Sequence, residues 1–123
     1  MRFRHVAGPL AATFILLAAA PDWARAQDET GSEIASLRPG GFHEECMELE
    51  AGQAIAYRFS SSTPLAFNIH YHRGNEVLYL EEQDATDGGE GTVTAPSAEN
   101  YCLMWENRTP EVVELRYRAG LAE

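Results

Sequence analysis

The chain has 123 residues, nine Lys plus Arg against nineteen Asp plus Glu, and a formal net charge of −10. It contains no lysine and nothing resembling a basic stripe, which excludes nucleic acid as a partner and disfavours docking on an anionic membrane. Small cations and basic surfaces of other proteins are permitted.

The chain begins with Arg2, Arg4 and His5, followed by an apolar run from Ala11 to Ala20 and a small-x-small triplet, Ala24-Arg25-Ala26. This is the anatomy of a signal peptide, residues 1–26, cut between Ala26 and Gln27. The run is shorter than the roughly 20 apolar residues a membrane-spanning helix needs. No later segment is apolar enough to span. The expected mature chain is therefore secreted, periplasmic in a bacterial source, and without a transmembrane segment. It retains six Arg against eighteen acidic residues.

Cys46 and Cys102 both lie in the exported part. An even pair in an oxidising compartment most simply forms one disulfide. It would close a loop of about 57 residues, worth roughly 4 kcal/mol in the chain-entropy model. The alternative is a pair of thiolate metal ligands, although neither cysteine belongs to a Cys-x-x-Cys motif.

Residues 27–40 are polar, end at Pro39-Gly40-Gly41, and read as a flexible lead-in. Only Ile34 and Leu37, three apart, hint at a helical turn. One domain is expected over residues 41–119, with a short tail at 120–123. Within it the dominant period is two. Ile55, Tyr57 and Phe59 alternate with smaller or polar residues, as do Leu65, Phe67, Ile69 and Tyr71. Tyr101, Leu103 and Trp105 form a third such series, and Val113, Leu115 and Tyr117 a fourth. Each reads as a half-buried strand. Residues 45–49, 76–80 and 91–95 are weaker strands. Turn formers separate them at Ala51-Gly52, Ser60 to Pro64, Arg73-Gly74-Asn75, Asp84 to Gly91, Pro96 to Asn100 and Asn107 to Pro110. Seven or so short strands without a helix predict an all-β fold, an antiparallel β-sandwich or small barrel.

The order of features resembles the GOLD domain, the β-sandwich of p24-type cargo proteins. The resemblance is carried by Glu45-Cys46-Met47, Ala56-Tyr57-Arg58-Phe59, Leu65-Ala66-Phe67-Asn68-Ile69, Gly91-Thr92-Val93-Thr94-Ala95-Pro96 and Tyr101-Cys102-Leu103-Met104-Trp105-Glu106-Asn107. It implies a GOLD-like or jelly-roll-like sandwich in which the two cysteines pair, and an interaction module rather than an enzyme. No coiled coil or C-terminal span follows, so p24-like cargo sorting does not carry over.

His70 and His72 lie outside that pattern and are the sharpest candidates for a site. On one strand, positions two apart share a face, with Cα atoms about 6.5 Å apart. Since Leu65, Phe67, Ile69 and Tyr71 occupy the core side, Asn68, His70 and His72 are expected on the wetter side. Two imidazoles so placed can contribute half of a copper or zinc site. Candidates to complete it are Glu76, Met104, Met47 and His43, and stable sites need three or four ligands. The competing reading is a polar stripe on a protein-binding face.

His70-x-His72-x-x-x-Glu76 also looks like the first metal motif of the cupins, but no histidine follows His72. A cupredoxin site would need a histidine after Cys102. Glu81, Glu82, Asp84, Asp87 and Glu90 lack the regular spacing of an EF-hand loop and read as a solvated hairpin connection. Ser60-Ser61-Ser62-Thr63 lacks an elbow or oxyanion signature and reads as a turn, so no catalytic residue is assigned. The expected protein is an exported, non-enzymatic binding module, contacting a transition metal through His70 and His72. The alternatives are a metal-free interaction domain bound to another envelope protein, and a small cupin-like metal enzyme.

Overall fold

Alternating apolar residues produce six strands over residues 31–123, the part of the chain that the computed structural model describes. They are β1 (Glu33–Leu37), β2 (Phe42–Leu49), β3 (Ala54–Arg73), β4 (Glu76–Thr94), β5 (Glu99–Glu106) and β6 (Val113–Leu121). All pairings are antiparallel. The signal peptide and its cleavage site lie outside the described residues.

β3 and β4 form one long hairpin. Arg73 pairs with Glu76 across a two-residue turn, and Gly74 takes the positive φ of 63° that this turn requires at its first central position. The hairpin bends where its register slips, between Ser60 and Leu65 and again between Leu65 and Phe67. Residues 54–61 of β3 pair with β6, whereas residues 66–71 pair with β5. The same strand is thus central to two layers, one running β1-β6-β3-β4 and the other β2-β5-β3-β4. Their inner faces pack as an antiparallel β-sandwich, with β5 Trp105 lying 4.9 Å from β6 Tyr117 and 5.6 Å from Phe59, ring centre to ring centre.

Two expected interruptions are therefore absent. Ser60 to Pro64 and Asp84 to Gly91 lie inside strands, so two predicted pairs of short strands fuse into β3 and β4. Side-chain hydroxyls satisfy backbone groups at the bend: Ser61 donates to the Thr63 carbonyl at 2.7 Å, Thr86 to the Gly88 carbonyl at 2.6 Å, and Ser62 accepts from the Glu114 N–H at 3.0 Å. The glycines have a packing role. A Cβ on Gly89 would lie 2.9 Å from the Phe59 ring, and one on Gly91 2.8 Å from the Tyr57 hydroxyl. The aromatic rings of β3 lie across the edge strand, and only glycine leaves them room.

The lead-in reading also needs correction. Residues 33–37 form β1, paired with β6 from Glu33–Tyr117 to Leu37–Val113. The three-residue spacing of Ile34 and Leu37 was misleading, because Ile34 faces solvent while Ala35 and Leu37 pack on the core. β6 likewise extends through Gly120 and Leu121 into the expected tail.

The expected disulfide is present. It joins Cys46 of β2 to Cys102 of β5 at directly opposed positions, with Cα atoms 4.0 Å apart. The core holds Trp105, Tyr101, Phe67, Ile55, Leu65, Ile69 and Leu103, all essentially inaccessible. Asn107 is equally buried. Its side-chain amide donates to the Leu37 and Glu111 carbonyls, and its oxygen accepts from the Thr109 N–H and hydroxyl.

Candidate functional site

The alternation in β3 holds where it was expected to: Leu65, Phe67, Ile69 and Tyr71 are buried on the core side. Asn68, His70 and His72 share the outer side of the β2-β5-β3-β4 layer. Yet His70 is only 4% exposed, contrary to the expected wet face. The cause is its central place in the sheet. Cys102 stands opposite it on β5 and Tyr79 opposite it on β4, with the Tyr79 ring 6.0 Å away. The pairing with β5 ends at Tyr71, so His72 has a strand neighbour, Val77, on one side only and remains exposed.

His70 is held in a definite orientation. Its Nδ1 lies 2.6 Å from Asn68 Oδ1, an acceptor, so Nδ1 carries the proton and donates. In the neutral ring the Nε2 lone pair then points outward, with Glu44 Oε1 at 3.7 Å. Burial pushes the His70 pKa down, Glu44 partly opposes that shift, and the neighbouring His72 adds to it. The two imidazoles meet edge to face, their centres 5.1 Å apart.

The four residues considered as completing ligands fall in different places. Met104 stands opposite Asn68 on the same outer face. Met47 packs against the core, and His43 also points inward, where its Nε2 lies 2.8 Å from the Tyr117 hydroxyl. Both are therefore on the wrong side of the sheet. Glu76 is opposite Arg73 at the hairpin end, out of step with Val77, the residue that faces His72. Among the described residues, one group of three ligand-type side chains converges, namely Glu44, Cys46 and Cys102. Because the two sulfurs are joined to each other, its carboxylate is the available donor. Glu44 was absent from the sequence-based candidates. It was readable only through the disulfide: two residues before Cys46, it shares the face that the Cys46–Cys102 register aligns with His70.

The inward-facing His43 belongs to a second polar cluster. The Tyr117 hydroxyl lies 2.9 Å from Glu33 Oε2 and 3.1 Å from Glu45 Oε2, as well as beside His43. Burial and the two carboxylates drive the Tyr117 pKa strongly upward. The carboxylates of Glu81, Glu82, Asp84, Asp87 and Glu90 are spread along β4 instead of curling round a loop, and Glu90 pairs with Arg58. Tyr101 and Trp105 are core aromatics, as their spacing suggested. No described helix is long and apolar enough to cross a membrane.

No protein-family model matches the sequence, and no curated protein is significantly similar to it. Solved structures do match. The Yersinia pseudotuberculosis-derived mitogen superposes with a TM-score of 0.53 at 12% identity, covering 75% of this chain and 85% of its own. A CBM4 structure superposes with a TM-score of 0.52 at 13% identity, covering 76% and 84%. A de novo designed double-stranded β-helix reaches 0.42 at 15% identity, covering 72% and 97%. The likeness to the mitogen and the CBM4 structure is one of architecture, a jelly-roll-like β-sandwich, and neither is a GOLD-type protein.

Proposed function

We propose that the chain is an exported, non-enzymatic binding module whose binding face is the outer surface around His70, His72 and Glu44. On this reading it contacts a copper or zinc ion there. One observation carries the proposal: Asn68 fixes the His70 ring so that Nε2 faces Glu44 beside an exposed second imidazole. A hydrogen-bond partner on the far nitrogen is the usual way in which a ligating histidine is oriented. His70 Nε2 and Glu44 Oε1 would supply two ligands, and His72 a third after its exposed ring turns toward them. Met104 stands beside them as a softer donor. The GOLD resemblance and the CBM4 likeness, both of them likenesses of fold, are compatible with a binding domain. A disulfide and a signal-like N-terminal sequence support export.

The exposed side chains of Val77 and Tyr79 on β4, beside the imidazoles, favour a second reading, a metal-free contact with another envelope protein. The cupin-like enzyme would need a further histidine from a later strand, and no histidine follows His72.

Titration of the purified protein with Cu(I), Cu(II) and Zn(II), beside a His70→Ala/His72→Ala variant and a His72→Ala variant, tests the metal contact. Binding tighter than about millimolar that is lost in both variants is expected. Equal affinity in the parent and the variants would overturn it.

A further inference from the structure

The disulfide stands in the middle of the histidine face. Cys46 is directly opposite Cys102 on β5, and Cys102 directly opposite His70 on β3, so the three form one row across neighbouring strands. In the adjoining row Glu44 faces Met104, and Met104 faces Asn68. Leu103 and Ile69, between the rows, point into the core, so alternation turns both rows outward.

Register alone therefore brings two sulfurs, an imidazole and a carboxylate together. The Glu44 carboxylate and both sulfurs lie within 4.8 Å of one another, and Glu44 Oε1 is 3.7 Å from His70 Nε2. Asn68 holds the far nitrogen of that ring, which leaves the Nε2 lone pair on the Glu44 side. Two thiolates, one neutral imidazole and one carboxylate are a complete tetrahedral donor set for zinc. The sulfur–sulfur bond withholds two of the four donors.

That bond is also within reach of solvent. Cys46 lies on the edge strand β2 and is exposed, whereas Cys102 is buried. Exposed disulfides are the labile and regulatory ones, in contrast to those sealed inside a fold.

We propose that the Cys46–Cys102 disulfide is a redox switch over a four-ligand zinc site, made of Cys46, Cys102, His70 and Glu44, which forms when the bond is reduced. The proposal rests on the metal reading of this face, since it takes over His70 and Glu44, but it replaces His72 by the two sulfurs. The reductant is a dithiol. Its thiolate attacks the exposed Cys46 Sγ, the S–S bond breaks, and Cys102 leaves as a thiolate. The second thiolate of the dithiol then displaces Cys46 from the mixed disulfide. Two electrons pass to the protein, and the dithiol becomes a cyclic disulfide. Zinc holds both cysteines as thiolates, and the protons they would carry as thiols go to solvent. The ion joins β2 to β5 and β3, so it takes over the tie that reduction removes.

Zinc and cobalt(II) titrations of the oxidised chain, and of the chain reduced with a phosphine in the absence of oxygen, test the switch. The reduced chain is expected to bind zinc more tightly than the oxidised chain by roughly 100-fold or more. It should also give a thiolate-to-cobalt charge-transfer absorption that the oxidised chain lacks. A Cys46→Ser/Cys102→Ser variant under the same reducing conditions should show neither. Glu44→Gln and His70→Ala should each weaken binding to the reduced chain by roughly tenfold or more. His72→Ala should leave that binding as in the parent. The two readings fail separately: metal binding absent from the oxidised chain overturns the contact through His72, and binding no tighter in the reduced chain overturns the switch. A cobalt absorption undiminished in both Glu44→Gln and His70→Ala also overturns it, as the mark of two cysteines chelating metal without the face around them. Where reduction loosens the chain, circular dichroism should show zinc restoring the β spectrum, and a zinc-loaded chain that stays unfolded overturns the proposal as well.

Discussion

β3 passes through the centre of both layers, and its outward residues meet opposite fates in the two halves. In the second half His70 is sealed over. Its strand neighbours are a disulfide-bonded cysteine on one side and a tyrosine on the other, and Asn68 holds its inner nitrogen. In the first half Arg58 is equally central, between Arg118 on β6 and Glu90 on β4, yet its longer side chain reaches past them and stays 24% exposed. A central position in a sheet seals a short side chain such as histidine, whereas a long charged one carries its head past its neighbours to solvent. Outward positions of one strand thus yield a buried, oriented imidazole in one layer and a half-exposed guanidinium in the other.

The sharpest way to break this contrast is to remove the covalent tie, which only the histidine layer has. β2 is an edge strand joined to its layer through β5 alone, and Cys46–Cys102 spans 56 positions of sequence. A Cys46→Ser/Cys102→Ser variant is expected to lose about 4 kcal/mol of stability in urea unfolding. Hydrogen exchange should show β2 amides losing protection first, with β1 and β6 little changed. If β1 and β6 opened first, the disulfide would not be what holds the histidine layer closed.

Single truncations sharpen the same contrast at lower cost. His70→Ala removes a buried ring and leaves the Asn68 oxygen without its donor, for an expected loss of about 2–3 kcal/mol. His72→Ala and Arg118→Ala, both at exposed positions, should each stay within about 0.5 kcal/mol of the parent. Chemical denaturation of the three variants checks the order. A His70→Ala protein as stable as Arg118→Ala would mean that the imidazole contributes nothing by its burial.

What the sequence disclosed, and what it did not, follows from the range of each signal. Alternation is local, so the core sides of β3, β5 and β6 were legible residue by residue, as was the Gly74-Asn75 turn. The fold class followed from them. The bend inside β3 was not legible, because Ser60 to Pro64 has the composition of a turn whether the chain reverses or merely slips register. β1 was missed because a five-residue strand with one buried leucine leaves too little pattern. Parity correctly put Asn68, His70 and His72 on one side of β3, but parity says nothing about what stands on the neighbouring strands. The burial of His70 depends on Tyr79 and Cys102, and its electrostatic partner is Glu44, across two strand pairings. Met47 and His43 were admitted as ligands for the same reason: without a register, nothing showed that they face the core.

The smallest effect expected is also the most specific to the buried imidazole. Burial lowers the His70 pKa below its ordinary value, so the folded protein resists a proton that the unfolded chain accepts. Above about pH 6.5 the ring is neutral in both states and its stability contribution is intact. As pH falls below that value the unfolded state binds the proton first, and stability declines until pH has passed through the depressed folded value, where the loss levels off. Urea unfolding from pH 7.5 to 4.5 should therefore show a component of acid destabilisation that disappears in His70→Asn, while carboxylate contributions common to both proteins cancel in the difference. Glu44 favours the protonated ring, so Glu44→Gln should deepen the depression and widen the window; His72 disfavours it, so His72→Ala should narrow it. Imidazole proton shifts would report both changes directly. Arg118→Gln, on the opposite face, should leave this component as it is in the parent. If instead it altered the component as much as Glu44→Gln does, the two faces would not be electrostatically separate, and the contrast drawn along β3 would fail.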